Sequence, residues 1–225
     1  MGKDKLRKFS ENETFGHVIQ PSREEVESGI TYKGNWAQKL FNNTAPIVLE
    51  LGCGKGEYTV SLAKAFPNKN FIGIDIKGAR IWRGAKTADQ EEISNVAFIR
   101  TQIELIDLLF EKGEIDEIWI TFPDPQIKFR RAKHRLTHPE FLRKYFKVLK
   151  SEGLVHLKTD SEFLHGYTHG VLQIENQKIH FANHDVYQPH KVGIPNYVRE
   201  IQTFYEKKYL EQNKPITYLQ FSLKF

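Results

Sequence analysis

The stretch that decides the fold is residues 47–57, IVLELGCGKGE, in which a short apolar run leads into glycines at alternate positions. A run this rich in β-branched residues is typical of a buried strand. Glycine adopts backbone conformations that are closed to other residues, so the following loop can turn tightly and present bare backbone to a ligand. A strand followed by such a loop and a helix predicts the first unit of a nucleotide-binding α/β sheet.

Strand-like and helix-like segments alternate along the rest of the chain. This alternation predicts parallel strands joined by right-handed helical crossovers. The final strand has alternating polarity and suits an antiparallel position. We therefore predict a Rossmann-like α/β fold with a seven-stranded, mostly parallel sheet, an antiparallel last strand and helices on both faces. The predicted strands are 47–51, 70–75, 96–100, 116–121, 153–159, 178–183 and 215–223.

Length and composition narrow the class of protein. The chain has 225 residues, 40% hydrophobic and 27% charged, which is typical of a globular protein that folds without metals or disulfides. Its single cysteine, Cys53, excludes an internal disulfide. No apolar run approaches the roughly 20 residues of a membrane-spanning helix, and no secretory signal opens the chain. We expect a cytoplasmic protein with one domain over residues 45–225 and a polar, partly flexible extension over residues 1–44.

Acids near the glycine loop narrow the class of cofactor. A dinucleotide fingerprint requires glycine at the position of Glu57, and an acid there would repel a pyrophosphate. A nucleoside with a positive centre, such as S-adenosylmethionine, tolerates these acids. Asp75 ends the second predicted strand, where an acid accepts hydrogen bonds from ribose hydroxyls, although Asp75 could equally cap the next helix. The residues favour a methyltransferase over a dehydrogenase.

A predicted strand is followed closely by a cluster of positive charges in residues 118–136, IWITFPDPQIKFRRAKHRL. Asp124 lies between two prolines, which restrict the backbone and could hold the carboxylate in one place, although Pro-Asp-Pro is also ordinary turn chemistry. A cationic cluster attracts polyanions, and RNA bound there would release counterions. We predict that an RNA backbone lies across the basic run, defined as Lys128, Arg130, Arg131, Lys133 and Arg135.

Four motifs occur in a fixed order: VLELGCGKGEYTVSLAKAFPNKNFIGIDI, FPDPQIKFRRAKHRL, LKTD and TFYE. Together they resemble the tRNA (guanine-N7)-methyltransferases, class I enzymes that use S-adenosylmethionine, over roughly residues 35–225. The resemblance implies transfer of a methyl group from S-adenosylmethionine to N7 of a guanine in the variable loop of tRNA. It implies that tRNA is the partner. We also expect no binding to a membrane or to DNA, and a monomer or homodimer. The chain departs from the family pattern at Gln126 and Ile127, where an aromatic residue and a proline or histidine are usual.

The resemblance also assigns site residues to positions of this sequence. It implies that Glu50, Asp75 and Asp124 line the cofactor and reaction site beside loop glycines Gly52, Gly54 and Gly56, with Gln102 at the adenine end. It implies that Lys128, Asp160, Thr203, Tyr205 and Glu206 contact the RNA, in addition to Arg130 and Arg131 of the basic run. Structural alternatives remain, because Asp160 could cap the following helix, and Thr203 and Glu206 match a capping box.

The chemistry of guanine N7 defines what the catalytic residue must do. N7 carries a free lone pair, so methylation requires orientation of that lone pair toward the methyl donor and no general base. We expect Asp124 to accept hydrogen bonds from the guanine Watson-Crick edge and to offset the positive charge that develops on the purine. In an A-form duplex N7 faces a deep, narrow groove, so the target must lie in a loop or leave the stack.

Other functions remain open from the sequence alone. The chain could be a non-catalytic RNA-binding protein on a methyltransferase-like fold, or could methylate another RNA or a small molecule. His165 and His169 are four residues apart on a predicted helix, a spacing that can bind a metal, but no third ligand is evident and no metal site is predicted. We expect Trp36 to pack the N-terminal segment onto the domain.

Overall fold

The computed structural model describes residues 2–188 and 194–225. The strands within these ranges are β1 (Val18–Ile19), β2 (Ile47–Leu51), β3 (Asn70–Asp75), β4 (Val96–Arg100), β5 (Ile115–Thr121), β6 (Leu149–Thr159), β7 (Lys178–Asn183) and β8 (Thr217–Ser222). They form one mixed sheet in the order β1-β4-β3-β2-β5-β6-β8-β7. The strand pairs are parallel except those of β8 with β6 and β7.

Helices cover both faces of this sheet. The helices of the described ranges are α1 (Gly2–Thr14), α2 (Arg23–Ser28), α3 (Trp36–Phe41), α4 (Glu57–Ala65), α5 (Gly78–Gln90), α6 (Ile106–Leu109), α7 (Pro139–Val148), α8 (Glu162–Ile174), α9 (Tyr197–Glu200) and α10 (Phe204–Glu211), with 3₁₀ turns at Ile103–Leu105 and Phe129–His134. Buried residues of α4, α5 and α9 pack with Val48 on one face, and those of α3, α6, α7 and α8 pack with Leu49 and Leu51 on the other. Successive residues of β2 thus enter different cores, as the two-residue period of a strand requires.

The predicted Rossmann-like architecture is confirmed, with eight strands where seven were predicted. The additional strand, β1, has only two residues, and Val18 and Ile19 pair in parallel with Phe98 and Ile99 of β4. A strand of two residues is too short to show alternation in the sequence. The antiparallel position predicted for the last strand is confirmed by β8, which lies between β6 and β7.

Residues 2–44 contain three helices, α1, α2 and α3, and the short strand β1. The side-chain amide of Asn12 in α1 donates to the carbonyl of Gly78 in α5 at 2.9 Å. Trp36 is fully buried, its indole nitrogen donates to the carbonyl of Leu109 at 3.0 Å, and its ring stacks on Tyr32. Packing by Trp36 is therefore confirmed. Both ends of this segment are therefore joined to the rest of the chain by side-chain hydrogen bonds.

The order of the strands places a switch point between β2 and β5. The chain runs outward from β2 through β3 to β4, and then returns to the other side of β2 with β5 and β6. In open α/β sheets, ligands bind outside the carboxyl ends of the strands at such a switch point.

No helix in the described part of the chain has the length and apolar character needed to cross a lipid bilayer.

Candidate functional site

A cavity opens at the carboxyl ends of β2 and β5, at the switch point of the sheet. Its volume is about 100 Å³, below the roughly 300 Å³ at which small-molecule sites begin, so the enclosed part can hold only one end of a nucleoside cofactor. A larger cavity, about 1140 Å³, lies at the amino ends of β5 and β6 and contains none of the predicted site residues. The smaller cavity is lined by Glu50, Gly52, Cys53, Gly54, Lys55, Glu57, Tyr58, Arg80, Thr121, Phe122, Thr203 and Tyr205.

The glycine loop has the backbone conformation that its sequence predicts. Gly52, Gly54 and Gly56 have φ angles of 76°, 57° and 70°, in the left-handed region that favours glycine. A methyl group added at Gly56 would lie 2.5 Å from the ring of Phe98, so this glycine permits close packing of the loop on β4. An added methyl group at Gly54 would meet only a backbone oxygen at 4.0 Å. Gly54 is therefore the position where a ligand can approach bare backbone.

Glu50 is a charged side chain on a buried strand. Its exposed fraction is 2%, and its two carboxylate oxygens accept hydrogen bonds from the hydroxyls of Thr59 and Thr121. Burial raises the pKa of Glu50 to about 7, against the pull of these hydroxyls. The hydroxyl of Tyr58, also in the lining, is buried and has no hydrogen-bond partner among the residues that the structure describes. A cavity with a desolvated acid and an unsatisfied hydroxyl suits a positively charged, hydrogen-bonding ligand.

Asp75 and Gln102 lie outside the cavity lining, at the ends of β3 and β4. The Asp75 carboxylate accepts a backbone hydrogen bond from Gly54 at 3.0 Å and another from Lys77 at 2.8 Å. It therefore ties the glycine loop to the start of α5 and leaves further lone pairs for a ligand. Gln102 is exposed, and its side-chain oxygen accepts from the guanidinium of Arg23 at 3.3 Å. Both residues lie at the carboxyl ends of their strands, at the same edge of the sheet as the cavity.

The loop after β5 is held in an unusual backbone conformation. Phe122 and Gln126 have φ angles of 47° and 45°, which non-glycine residues rarely adopt. The amide of Phe122 donates to the carbonyl of Lys158 at 2.8 Å, and the guanidinium of Arg135 donates to the carbonyl of Gln126 at 3.1 and 3.2 Å. Asp124 is exposed between these two anchors and accepts from the amide of Gln126 at 3.0 Å. The loop is thus fixed at both ends around the proposed catalytic carboxylate.

The basic run divides into surface and interior residues. Lys128, Arg130, Arg131 and Lys133 are exposed. Arg135 has an exposed fraction of 5%, and its guanidinium lies over the rings of Phe163 and Tyr167, at 4.8 and 4.2 Å from their centroids. The prediction that RNA lies across Arg135 is therefore wrong, because Arg135 faces inward to anchor the loop.

Two exposed apolar side chains, one directly before the basic run and one within it, were not predicted from the sequence. The ring of Phe129 is 92% exposed, and Ile127 is 67% exposed. Both follow Asp124 and stand among the exposed cations. An exposed aromatic ring among cations is an arrangement by which proteins bind single-stranded nucleic acid. The sequence KFRR, residues 128–131, could have indicated this arrangement.

The segment from Thr203 to Glu206 closes one side of the cavity. The capping box is present: the hydroxyl of Thr203 accepts from the amide of Glu206 at 3.1 Å, and the Glu206 carboxylate accepts from the amide of Thr203. The amide of Phe204 donates to the carboxylate of Glu57 at 2.9 Å, which joins the starts of α4 and α10. Glu57 is the acid whose presence argued against a dinucleotide cofactor. Through this hydrogen bond it positions Thr203 and Tyr205 against the glycine loop.

Glu206 is an interior residue and not a surface contact for RNA. It has no exposed surface, and its carboxylate accepts from the ammonium of Lys158 and the hydroxyl of Tyr187, both at 2.7 Å. The Lys158 ammonium also donates to the carbonyl of Ile201 at 2.9 Å. The predicted contact of Glu206 with RNA is wrong for this conformation, because burying the Lys158 charge requires its partner. A lysine inside the strand-like run GLVHLKT was the signal that could have revealed this pair.

Asp160 follows the carboxyl end of β6 and is half-buried, and burial raises its pKa. The alternative that Asp160 caps α8 is wrong, because the hydroxyl of Ser161 accepts from the amide of Leu164 at 3.2 Å. In the ranges that the structure describes, no group of three or more His, Cys, Asp or Glu residues is arranged to hold a metal ion.

The amino-acid sequence is highly similar to those of several known proteins. A family model described as "Putative methyltransferase" matches residues 44–219. A tRNA (guanine-N(7)-)-methyltransferase of Christiangramia forsetii is 61% identical over 223 residues, which is 99% of each chain. Proteins of the same name from Porphyromonas gingivalis and Brevibacillus brevis are 51% and 34% identical, over 94% and 85% of this chain and 86% of each relative.

Solved structures share the fold at low sequence identity. The 16S rRNA methyltransferase KamB superposes with a TM-score of 0.62 at 14% identity, over 84% of this chain and 92% of that one. An antibiotic-related methyltransferase superposes with a TM-score of 0.60 at 17% identity, over 94% and 98% of the two chains. These neighbours establish a class I methyltransferase fold.

Proposed function

The chain belongs to the tRNA (guanine-N7)-methyltransferase family, and we propose on that premise that it transfers a methyl group from S-adenosylmethionine to N7 of a guanine in tRNA. The target guanine lies in the variable loop, as the resemblance to the family implies. The enzyme acts in the cytoplasm as a monomer or homodimer. Its substrate is RNA and not DNA.

The residues of the cavity fit S-adenosylmethionine. The cofactor carries positive charge on its sulfonium and amino groups, and buried Glu50 offers the carboxylate that such a ligand would keep ionised. Gly52 and Gly54 offer bare backbone, and the free lone pairs of Asp75 can accept from a ribose. Gln102 stands at the adenine end of the same edge. Bound S-adenosylmethionine supplies an electrophilic methyl group, and these side chains hold and orient it.

The protein's part in the chemistry is to place the guanine. N7 needs no proton removed before it attacks, so alignment with the donor is the main requirement, and alignment can supply several kcal/mol of the barrier. Asp124 accepts hydrogen bonds from the guanine Watson-Crick edge and offsets the charge that develops on the purine. The anchors on Phe122 and Gln126 fix this carboxylate before the substrate arrives.

Exposed cations and polar groups around the cavity bind the rest of the RNA. Lys128, Arg130 and Arg131 contact phosphates on the side of the loop after β5. Asp160, Thr203 and Tyr205 contact the target nucleotide from the other side, where Thr203 and Tyr205 already line the cavity. Glu206 acts indirectly, because it holds Thr203 in the capping box.

One observation carries this proposal: the cavity with buried Glu50 lies at the same sheet edge as the doubly anchored loop of Asp124 and the exposed basic run. The test is incubation of the protein with S-adenosylmethionine and unmodified tRNA, followed by mass analysis of nucleosides. We expect 7-methylguanosine to form. A tRNA transcribed with 7-deazaguanosine, which lacks N7, is the matched control and should accept no methyl group. Methylation of that control, or of another base, would contradict the proposal.

A further inference from the structure

A third cavity, of about 370 Å³, borders the proposed cofactor site. It shares Lys55, Glu57 and Arg80 with the first cavity. Its other walls come from α1 and α5, so the N-terminal helix takes part in it. We call this cavity the cationic pocket, which is lined by Lys8, Lys55, Glu57, Ala79, Arg80, Trp82 and Arg83.

The cationic pocket and the basic run lie on opposite faces of the sheet. Ile81 and Ala85 of α5 belong to the core on the Val48 face. Leu136, directly after the basic run, packs against the core on the Leu49 face. The two positive surfaces therefore border the carboxyl edge of the sheet, with the proposed reaction site between them.

The charge of the cationic pocket is largely uncompensated. Lys55, Arg80 and Arg83 are exposed, and in the described ranges none has a carboxylate within 4 Å. Lys8 is paired with Asp4 at 2.7 Å. Glu57 is the acid of the lining, and it already accepts from the amide of Phe204. Three exposed cations that converge with no ion-pair partner among the described residues make a site for an anion.

Aromatic rings hold two of these cations in place, and one of the two, Lys55, has no carboxylate partner in the described ranges. The ammonium of Lys55 lies 4.9 Å from the centroid of the Phe204 ring, and that of Lys8 lies 4.9 Å from the Trp82 ring. Trp82 is itself fixed by a hydrogen bond from its indole nitrogen to Glu11 at 2.6 Å. Cation–π contacts leave the positive charge available to a ligand. The pocket is therefore pre-organised for an anionic group.

We propose that the cationic pocket binds a backbone phosphate of the substrate RNA, so that the RNA crosses the sheet edge from the basic run to α1 and α5. This inference rests on the proposed function. Arg83 and Lys8 do not line the cofactor cavity, so a cofactor carboxylate is not the ligand they serve. The Trp82 ring is already in contact with Arg7, Lys8 and Lys86, so it is not a free platform for a base. A phosphate is the anion that an RNA presents at every nucleotide.

The test compares Arg83→Gln with Arg83→Lys and with Lys112→Gln, an exposed cation at the opposite end of the sheet. Affinity for tRNA is measured over a series of salt concentrations, and affinity for S-adenosylhomocysteine is measured by calorimetry. We expect Arg83→Gln to weaken tRNA binding several-fold and to flatten the slope of log affinity against log salt by about 0.7 to 0.9. Arg83→Lys should largely restore the slope, and Lys112→Gln should match the parent protein.

Two results would overturn this inference. Arg83→Gln could bind tRNA with the affinity and salt slope of the parent protein, in which case no phosphate lies in the pocket. Arg83→Gln could instead weaken S-adenosylhomocysteine binding and leave tRNA binding intact, which would make the pocket part of the cofactor site. The 7-methylguanosine assay on the parent protein separates the two proposals. If the parent forms the product and Arg83→Gln has the parental salt slope, the phosphate site is contradicted and the methyl transfer stands. If the parent forms no product and Arg83→Gln has a flattened salt slope, the methyl transfer is contradicted and the phosphate site stands.

Discussion

Two loops meet at the carboxyl edge of the sheet, and they reach their shapes by different means. The loop after β2 uses glycines, for which positive φ angles are easy. The loop after β5 places Phe122 and Gln126 in the same region of backbone space, where each costs about 1–3 kcal/mol. Hydrogen bonds to the carbonyl of Lys158 and from the side chain of Arg135 hold it there. The loop after β2 is thus made of residues that adopt its shape easily, whereas the loop after β5 needs distant residues to hold its shape.

Removal of the lysine that underlies the second loop should have the largest effect on stability. Lys158→Met leaves the Glu206 carboxylate buried without its cation, and we expect a loss of about 3–5 kcal/mol in the free energy of unfolding. The double variant Lys158→Met with Glu206→Gln removes the unpaired charge and should recover much of that loss. Urea titration measures all three proteins. Equal stability of the single variant and the parent would show that the pair supports nothing at this edge.

Glu50→Gln should separate stability from cofactor binding at the first loop. The pKa of Glu50 is raised by burial to about 7, so folding favours the protonated acid. This stabilising contribution is complete below pH 4.5 and is lost as the pH rises through 7, with a total of about 3 kcal/mol. Glutamine does not ionise, so the variant should gain up to about 3 kcal/mol over the parent at pH 8 and little at pH 4.5.

The same variant should bind S-adenosylmethionine more weakly, because the cavity loses the acid that faces a positive ligand. For the parent protein, cofactor affinity should fall as the pH drops below 7, since bound cation favours the ionised Glu50. Urea titration and calorimetry at several pH values check both statements. A stability difference that does not change with pH would contradict the burial of this acid.

Arg135→Ala tests whether the second loop needs its distant anchor. The variant removes the hydrogen bonds to the carbonyl of Gln126 and the stacking on Tyr167. We expect a loss of about 1–3 kcal/mol in stability and a lower kcat with saturating tRNA. Arg131→Ala is the matched control, because Arg131 is exposed and should affect tRNA affinity alone. If both variants lowered only affinity, Arg135 would act as a surface cation after all.

Phe129→Ala should give the smallest effect on stability, because its effect is confined to RNA binding. The ring is 92% exposed, so its loss should not change the unfolding transition. We expect tRNA affinity to fall by the equivalent of about 1–3 kcal/mol if the ring stacks on a base, and Phe129→Tyr should retain it. Ile174→Ala, at a residue 82% exposed on α8, is the control for loss of exposed apolar surface. A Phe129→Ala protein with parental affinity would exclude stacking.

The comparison of the two loops also explains how far the sequence alone could lead. Strands β2, β3, β4 and β7 have the predicted bounds because β-branched runs between turns are local signals. The glycine loop and the capping box at Thr203 are likewise local, and the structure has both. Arg135 and Glu206 were misjudged because their burial depends on partners 28 to 48 positions away, Phe163 and Lys158. Nothing in KHRL or TFYE distinguishes an interior charge from a surface one.

The central claim is that Asp124, fixed by the anchored loop, acts on the guanine while the cofactor is held by other residues. Asp124→Asn tests it most directly, because asparagine can still accept from the amide of Gln126 and keep the turn. The measurement is the single-turnover rate of 7-methylguanosine formation with saturating tRNA, beside calorimetry with S-adenosylhomocysteine and the exposed control Asp89→Asn. We predict a rate about 100-fold lower with unchanged cofactor affinity. A rate equal to that of the parent protein would contradict the account.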